Sequence, residues 1–154
     1  MITIQTEIEI NAPVETCFDF ARNIDVHTLT VWPHTREKAI QGITSGLINA
    51  GETVTFEATH LFVRQKLTSR ITDYNRPYLF VDEMVKGAFK SLKHIHEFEA
   101  RGSVTVMRDV LTFEAPLGVA GWIVERLILK HYMKSFIEDR NRRLKYLVEN
   151  DAGR

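Results

Sequence analysis

Two histidines, His94 and His96, lie two positions apart in the stretch KHIHEF. Side chains alternate between the two faces of a β-strand, so residues at this spacing share a face. Their companions on that face, Leu92, Phe98 and Ala100, are apolar, which predicts that both histidines point into the interior. Imidazoles placed in this way can hold a metal ion, act as a general base, or form the polar part of a binding pocket.

An acidic partner for these histidines is predicted on the next strand. If Arg101-Gly102 forms a two-residue hairpin loop, His94 lies opposite Asp109 and His96 lies opposite Met107. Opposed side chains have Cβ atoms about 4.5–5.5 Å apart, close enough for a hydrogen bond between His94 and Asp109. We expect this carboxylate to raise the pKa of His94 and to fix its tautomer.

A metal site is one interpretation of this pattern. His94, His96 and Asp109 could supply three ligands, with His60 as a fourth candidate. In a meander, however, His60 lies three strands from His94, which is roughly 14 Å at about 4.8 Å per strand. The spacing also lacks the glutamate that the cupin pattern has four residues after its second histidine, where this chain has Ala100. We therefore predict no metal and no cofactor.

Catalysis is a second interpretation, in which His94 serves as general base and Asp109 orients it, as in a cyclase or dehydratase. The sequence has no serine in a Gly-x-Ser-x-Gly turn, and its single cysteine, Cys17, falls on an early helix. No catalytic residue is therefore assigned. The pair is interpreted as a polar anchor in a mostly apolar pocket, and a purely structural pair remains an alternative.

The elements that must position these residues follow from periodicity. Alternating residues 2–10 predict a strand, and 14–21 have helical spacing, with Asn11 as the expected N-cap. Residues 23–35 predict a short second helix or a loop. A long helix is expected at about 119–149, apolar on more than one side in its first half, which suits a cavity lining or a dimer interface. Six strands separated by turn residues precede it, at roughly 36–44, 52–61, 64–73, 78–86, 90–100 and 103–114.

Composition limits the function classes. The 154 residues suffice for one domain, and 20 basic against 20 acidic side chains argue against a nucleic-acid-binding protein. The N-terminus lacks the features of a signal peptide, and no apolar run is long enough to span a bilayer. We expect a cytoplasmic protein, monomeric or homodimeric.

Four phrases resemble a known superfamily: AGETVTF (50–56), RPYLFVDEM (76–84), GAFKSLKHIHEF (87–98) and TVMRDVLTFEAPLG (105–118). With the helices at each end, they are similar to the SRPBCC superfamily, which includes START lipid-transfer domains and the major birch pollen allergen. The match is to its bacterial ligand-binding branch. The resemblance implies a single domain over residues 1–154 with an α+β helix-grip fold. In that fold a curved antiparallel sheet of about seven strands wraps around a long C-terminal helix, with one or two short helices after the first strand.

The resemblance also implies a deep cavity for a lipid, a quinone or a polyketide-like compound. A minority of the superfamily are cyclases or dehydratases, and a collapsed cavity with a protein-interaction role is a further alternative. Trp32 is expected at the cavity mouth or packed under a loop, and Arg140 beside an inward carboxylate or extended to solvent. A two-residue turn at Lys86-Gly87 would point Glu83 inward. The predicted ligand-binding residues are His94, His96, Asp109, Phe98, Met107, Leu111, Phe56, His60, Trp32, Glu83, Leu129 and Met133.

Overall fold

The computed structural model describes residues 1–151, which form one antiparallel sheet and a set of helices. The strands are β1 (Ile2–Ile10), β2 (Lys38–Gly42), β3 (Thr53–His60), β4 (Val63–Asn75), β5 (Leu79–Lys86), β6 (Ser91–Arg101) and β7 (Val104–Glu114). The helices are α1 (Val14–Ala21), α2 (Ile24–Thr30), α3 (Gly118–Val124) and α4 (Lys130–Asp151), with a 3₁₀ turn at Pro33–Thr35. A π-helical segment, Glu125–Leu129, joins α3 to α4 into one long C-terminal helix.

The strand order is β1-β7-β6-β5-β4-β3-β2, so the first strand pairs with the last and the others follow as a meander. The C-terminal helix packs against this sheet, and α4 contacts β1, α1 and α2. Seven strands, two short helices after β1 and a long last helix confirm the predicted helix-grip fold. None of the helices in the described part of the chain is long and apolar enough to cross a membrane.

The β6–β7 hairpin differs from the predicted register. Arg101 pairs with Val104, so the two loop residues are Gly102 and Ser103 rather than Arg101 and Gly102. Gly102 has φ +62°, a left-handed conformation that glycine adopts without steric cost. His96 therefore lies opposite Asp109, and His94 lies opposite Leu111. Each residue of β6 now faces a residue two positions further along β7, which leaves every side chain on its predicted face.

The inward face of β5 is not the one that a two-residue turn would give, so the listing of Glu83 as a ligand-binding residue is wrong. The connection between Lys86 and Ser91 is longer than two residues, and Glu83 pairs with Lys93 on the outer face. The side chain of Glu83 is 41% exposed and lies 3.8 Å from Nζ of Lys93. The inward residue is its neighbour, Asp82, which lies opposite His94.

The start of α1 also differs from the prediction. The helix begins at Val14 with Pro13 as its N-cap, and Asn11 does not cap it. The backbone N–H of Asn11 instead donates to the carboxylate of Glu149 at 2.9 Å, which joins the end of β1 to the last turns of α4.

Two apolar clusters hold the helices to the sheet. Phe18 of α1 is fully buried and makes edge contacts with the rings of Phe80 and Phe98. The second cluster lies around Phe113 and Phe136.

Residues 117–128 behave differently, because most of their large apolar side chains are exposed. This segment is held near β7 by Glu125, whose buried carboxylate accepts the Ala115 N–H at 2.6 Å.

Candidate ligand-binding site

A cavity of about 300 Å³ lies between the inner face of the sheet and the C-terminal helix. Its size is at the lower end of the range for small-molecule sites. Most of its wall is apolar, with polar side chains at particular positions. Seven of the predicted residues contribute to the wall: Phe56, His60, His94, His96, Leu111, Leu129 and Met133.

The other five predicted residues lie outside the cavity wall. Phe98 and Met107 belong to the core around Phe18, because their strand positions lie under α1. Trp32 packs edge-on against Phe136, and its Nε1–H donates to Asp139 at 2.7 Å. Trp32 therefore packs against the C-terminal helix, which neither the predicted cavity mouth nor packing under a loop describes. Glu83 faces outward, and Asp109 lies behind the histidines. Sequence reasoning missed Asp82 and assigned Arg140 no ligand role, although both contribute to the wall.

The predicted contact between His94 and Asp109 is present. Nε2 of His94 lies 2.7 Å from Oδ1 of Asp109, and both side chains are buried. The contact is diagonal across β6 and β7, not directly opposed as the predicted register required. Asp109 also accepts a hydrogen bond from Nδ2 of Asn141 at 2.8 Å, and Nη2 of Arg140 lies 3.5 Å from it. Of the two alternatives for Arg140, pairing with an inward carboxylate is the one that the structure has.

His96 joins a second carboxylate to this group. Its ring stacks on that of His94 with centroids 3.8 Å apart, and its Nε2 lies 2.8 Å from Oδ2 of Asp82. Nδ1 of His96 lies 3.2 Å from Oδ1 of Asp109, near enough for an ion pair but poorly aligned for a hydrogen bond. We call His94, His96, Asp82 and Asp109 the His–Asp cluster.

The pKa of His94 is lowered to about 4, contrary to the prediction. Burial disfavours the charged imidazolium, and the stacked His96 disfavours it further. The hydrogen bond to Asp109 acts in the predicted direction but is outweighed. A neutral His94 donates Nε2–H to the ionised carboxylate, which can only accept, and this leaves a lone pair on Nδ1.

The pKa of His96 shifts in the opposite direction. Burial lowers it, but the contacts with Asp109 and Asp82 together outweigh burial, so the pKa of His96 is raised. Burial alone would raise the pKa of Asp109, but its contacts with His94 and His96 hold that pKa well below its usual value, and the contact with His96 lowers the pKa of Asp82. At neutral pH the cluster therefore contains two carboxylates and a neutral His94, beside a His96 whose protonated form the carboxylates favour.

Two acceptor atoms of the cluster remain available to the cavity. Nδ1 of His94 makes no hydrogen bond within residues 1–151 and, unlike Nδ1 of His96, is not sealed by protein atoms. Of the two carboxylate oxygens of Asp82, Oδ2 contacts His96 and the other remains free among the described residues. The side chain of Asp82 is 23% exposed. A bound molecule would therefore meet hydrogen-bond acceptors at this wall.

Side chains that can bind a metal ion also converge here, but they are not the three that the metal interpretation of the sequence named. Asp82, His94 and His96 each offer one ligand atom, and these atoms lie within 4.8 Å of one another. Asp82 takes the place that the sequence analysis gave to Asp109. His60 is engaged elsewhere in the wall, where its Nδ1 lies 2.8 Å from the hydroxyl of Tyr132.

Solved structures with the same fold are numerous but distant in sequence. TTHA0849 from Thermus thermophilus aligns with TM-score 0.80 and 15% identity, over 98% of this chain and 99% of that one. A START superfamily protein from Mycobacterium smegmatis gives TM-score 0.71 and 14% identity, over 96% and 97%. The protein named Ara h 8.0201 gives TM-score 0.66 and 12% identity, over 96% and 97%. At such identities these structures establish the fold alone.

Among curated protein sequences none matches the chain significantly. A family model described as "Polyketide cyclase / dehydrase and lipid transport" matches residues 1–149, which is nearly the whole chain. The strand order, the long last helix and the structural neighbours agree with that match. The chain therefore belongs to the polyketide cyclase / dehydrase and lipid transport family, within the SRPBCC superfamily that its sequence resembles.

Proposed function

We propose that this protein binds a small, mostly apolar molecule in its cavity and holds a polar group of that molecule against His94 and Asp82. The observation that carries the proposal is a mostly apolar cavity whose wall includes the buried rings of His94 and His96 and the carboxylate of Asp82. Small-molecule sites commonly combine an apolar lining with a few placed polar groups, which fix the orientation of the ligand.

The chemistry of the wall narrows the ligand class. Nδ1 of His94 and the free oxygen of Asp82 accept hydrogen bonds, so a hydroxyl group that donates one satisfies them. Leaving a buried acceptor unpaired costs about 1–3 kcal/mol, which disfavours a wholly apolar ligand at this position. A ligand carboxylate at this wall would lie near the carboxylates of Asp82 and Asp109, which oppose its charge, with Arg140 and the His96 ring in partial compensation. We therefore propose a hydroxylated aromatic or polyketide-like compound rather than a fatty acid.

An enzymatic role is the second candidate, since the family description includes cyclases and dehydrases. General bases work best when their pKa lies near the working pH. With a pKa of about 4, His94 is a weak base at neutral pH, and the carboxylates of Asp109 and Asp82 raise the pKa of His96, which favours its protonated form. This favours binding over proton abstraction by His94. The alternative of a protein-interaction role assumed a collapsed cavity, whereas the cavity here has a volume of about 300 Å³.

Native mass spectrometry of freshly purified protein tests the proposal. We expect a co-purified small molecule that is released on denaturation. The variant Ala58→Phe places a ring in the cavity from a buried wall position, and it should lose the bound mass while remaining folded. Ala100→Phe adds the same ring at an exposed position of β6 outside the cavity wall and should retain it. Equal retention by both variants would show that the molecule binds elsewhere.

A further inference from the structure

We propose that Asp82, His94 and His96 form a binding site for a divalent transition-metal ion, of the Zn²⁺, Fe²⁺ or Co²⁺ type, in the cavity wall. One ligand atom from each residue lies within 4.8 Å of the others. His94 and His96 are buried, and all three side chains border the cavity. The proposal concerns the ion alone and does not rest on the proposed ligand, whose hydroxyl contact with Nδ1 of His94 belongs to the metal-free protein.

The donor set suits this class of ion. Imidazole nitrogen and carboxylate oxygen bind Zn²⁺ at about 2.0–2.2 Å, and two histidines with one carboxylate also suit non-haem Fe²⁺. Asp82 and His94 are directly opposed on β5 and β6, and His96 follows two residues later on the same face. Three protein ligands beside a cavity leave coordination positions for water or for a bound molecule, as in catalytic rather than structural sites.

Asp109 provides the outer contacts that such a site needs. Metal-ligating histidines usually donate the other ring N–H to a carboxylate, which fixes their tautomer and orientation. Asp109 fills this position for His94, at 2.7 Å from its Nε2, and lies 3.2 Å from Nδ1 of His96, where a small rotation of the ring would align the hydrogen bond. Asn141 and Arg140 hold Asp109 from α4. Nδ1 of His94 and Nε2 of His96 are consequently the nitrogens that remain for the ion.

Metal binding at this place exchanges an ion for a proton. In the metal-free protein a proton bridges Nε2 of His96 and Oδ2 of Asp82, which lie 2.8 Å apart. The ion takes the lone pairs of both atoms and of Nδ1 of His94, and the bridging proton leaves to solvent. Two carboxylates and the Arg140 guanidinium then surround a divalent ion, so no buried negative charge is left uncompensated.

Titration of chelator-treated, untagged protein with Co²⁺ tests the site by isothermal calorimetry and by the visible absorption of the bound ion. We expect one Co²⁺ per chain. Asp82→Asn and His96→Gln should each weaken binding by at least about 100-fold, and Asp109→Asn, which changes only the outer contacts, by about 10- to 100-fold. His131→Gln removes an exposed histidine and should leave binding unchanged.

Circular dichroism must show that each variant is folded. If a variant unfolds, paramagnetic broadening in the wild-type protein decides instead, because Co²⁺ should broaden the ring signals of His94 and His96 before that of His131. The proposal is overturned if the wild type binds no stoichiometric Co²⁺, or if the double variant Asp82→Asn/His96→Gln binds it as tightly as the wild type. Neither result would affect a small molecule found by mass spectrometry.

Discussion

The His–Asp cluster and residues 117–128 of the C-terminal helix reverse the usual distribution of polar and apolar side chains. In the cluster, His94, His96 and Asp109 are each at most 5% exposed. In residues 117–128, Leu117 is 82% exposed and Leu127 is 71% exposed. Soluble proteins commonly expose single apolar residues, whereas buried charges are rare unless they are paired.

The difference between the two regions predicts which substitutions will lower the free energy of unfolding most. Each polar group of the cluster depends on the others for its partner, so the loss of one leaves a buried charge without compensation. The apolar side chains of residues 117–128 have little contact to lose. The C-terminal half of the long helix is tightly packed. The apolar side chains of its first part, in contrast, contribute little to the stability of the fold.

The largest effect is expected for Asp109→Ala. This change removes the carboxylate that contacts His94, His96, Arg140 and Asn141, and the free energy of unfolding should fall by about 3–5 kcal/mol. Urea denaturation measures it. Glu97→Ala removes an exposed carboxylate from the same hairpin and should change stability by less than about 0.5 kcal/mol. Similar effects of the two changes would contradict the account of the cluster.

Two leucines of the C-terminal helix, one buried and one exposed, test whether the apolar side chains of residues 117–128 contribute to stability. Leu144 is 4% exposed in the core around Phe18, and Leu144→Ala should lower the free energy of unfolding by about 2–5 kcal/mol. Leu127→Ala should lower it by less than about 0.5 kcal/mol. A large loss for Leu127→Ala in the monomer would mean that residues 117–128 pack against something in solution.

The two histidines should titrate in opposite directions, although their rings are stacked. In metal-free protein, NMR of the imidazole nitrogens should find His94 neutral down to about pH 4 and His96 still protonated above its ordinary value of about 6.5. A His94 that takes up its proton above about pH 6 would contradict the assignment of Nδ1 as a free acceptor.

These shifts have opposite consequences for stability. The unfolded chain protonates His94 near pH 6.5 and the folded chain only near 4, so stability from His94 is complete above 6.5 and falls as the pH drops through this interval. The contribution of His96 is complete below about 6.5 and is lost as the pH rises through its raised folded pKa.

Local patterns of apolar residues predicted the strands, the helices and the inward face of β6, whereas the helix-grip arrangement followed from the resemblance to the SRPBCC superfamily. The sequence did not predict the loop of the hairpin, since Arg101-Gly102 and Gly102-Ser103 are both acceptable two-residue turns. Asp82 was missed for a related reason. The face of β5 depends on the length of its turn and on register shifts in the β4–β5 pair, which no local pattern reveals. The pKa of His94 depends on burial and on the stacked ring of His96, neither of which the sequence alone reveals.

The central claim is that a ligand hydroxyl lies against His94, and ¹⁵N NMR of the histidine side chains tests it most directly. Metal-free protein is titrated with 2-naphthol and, in parallel, with naphthalene as the matched apolar probe. The account predicts that 2-naphthol shifts Nδ1 of His94 strongly, that naphthalene shifts it much less, and that His131 responds to neither. Binding of 2-naphthol with no change at His94, or equal shifts from both probes, would contradict the claim.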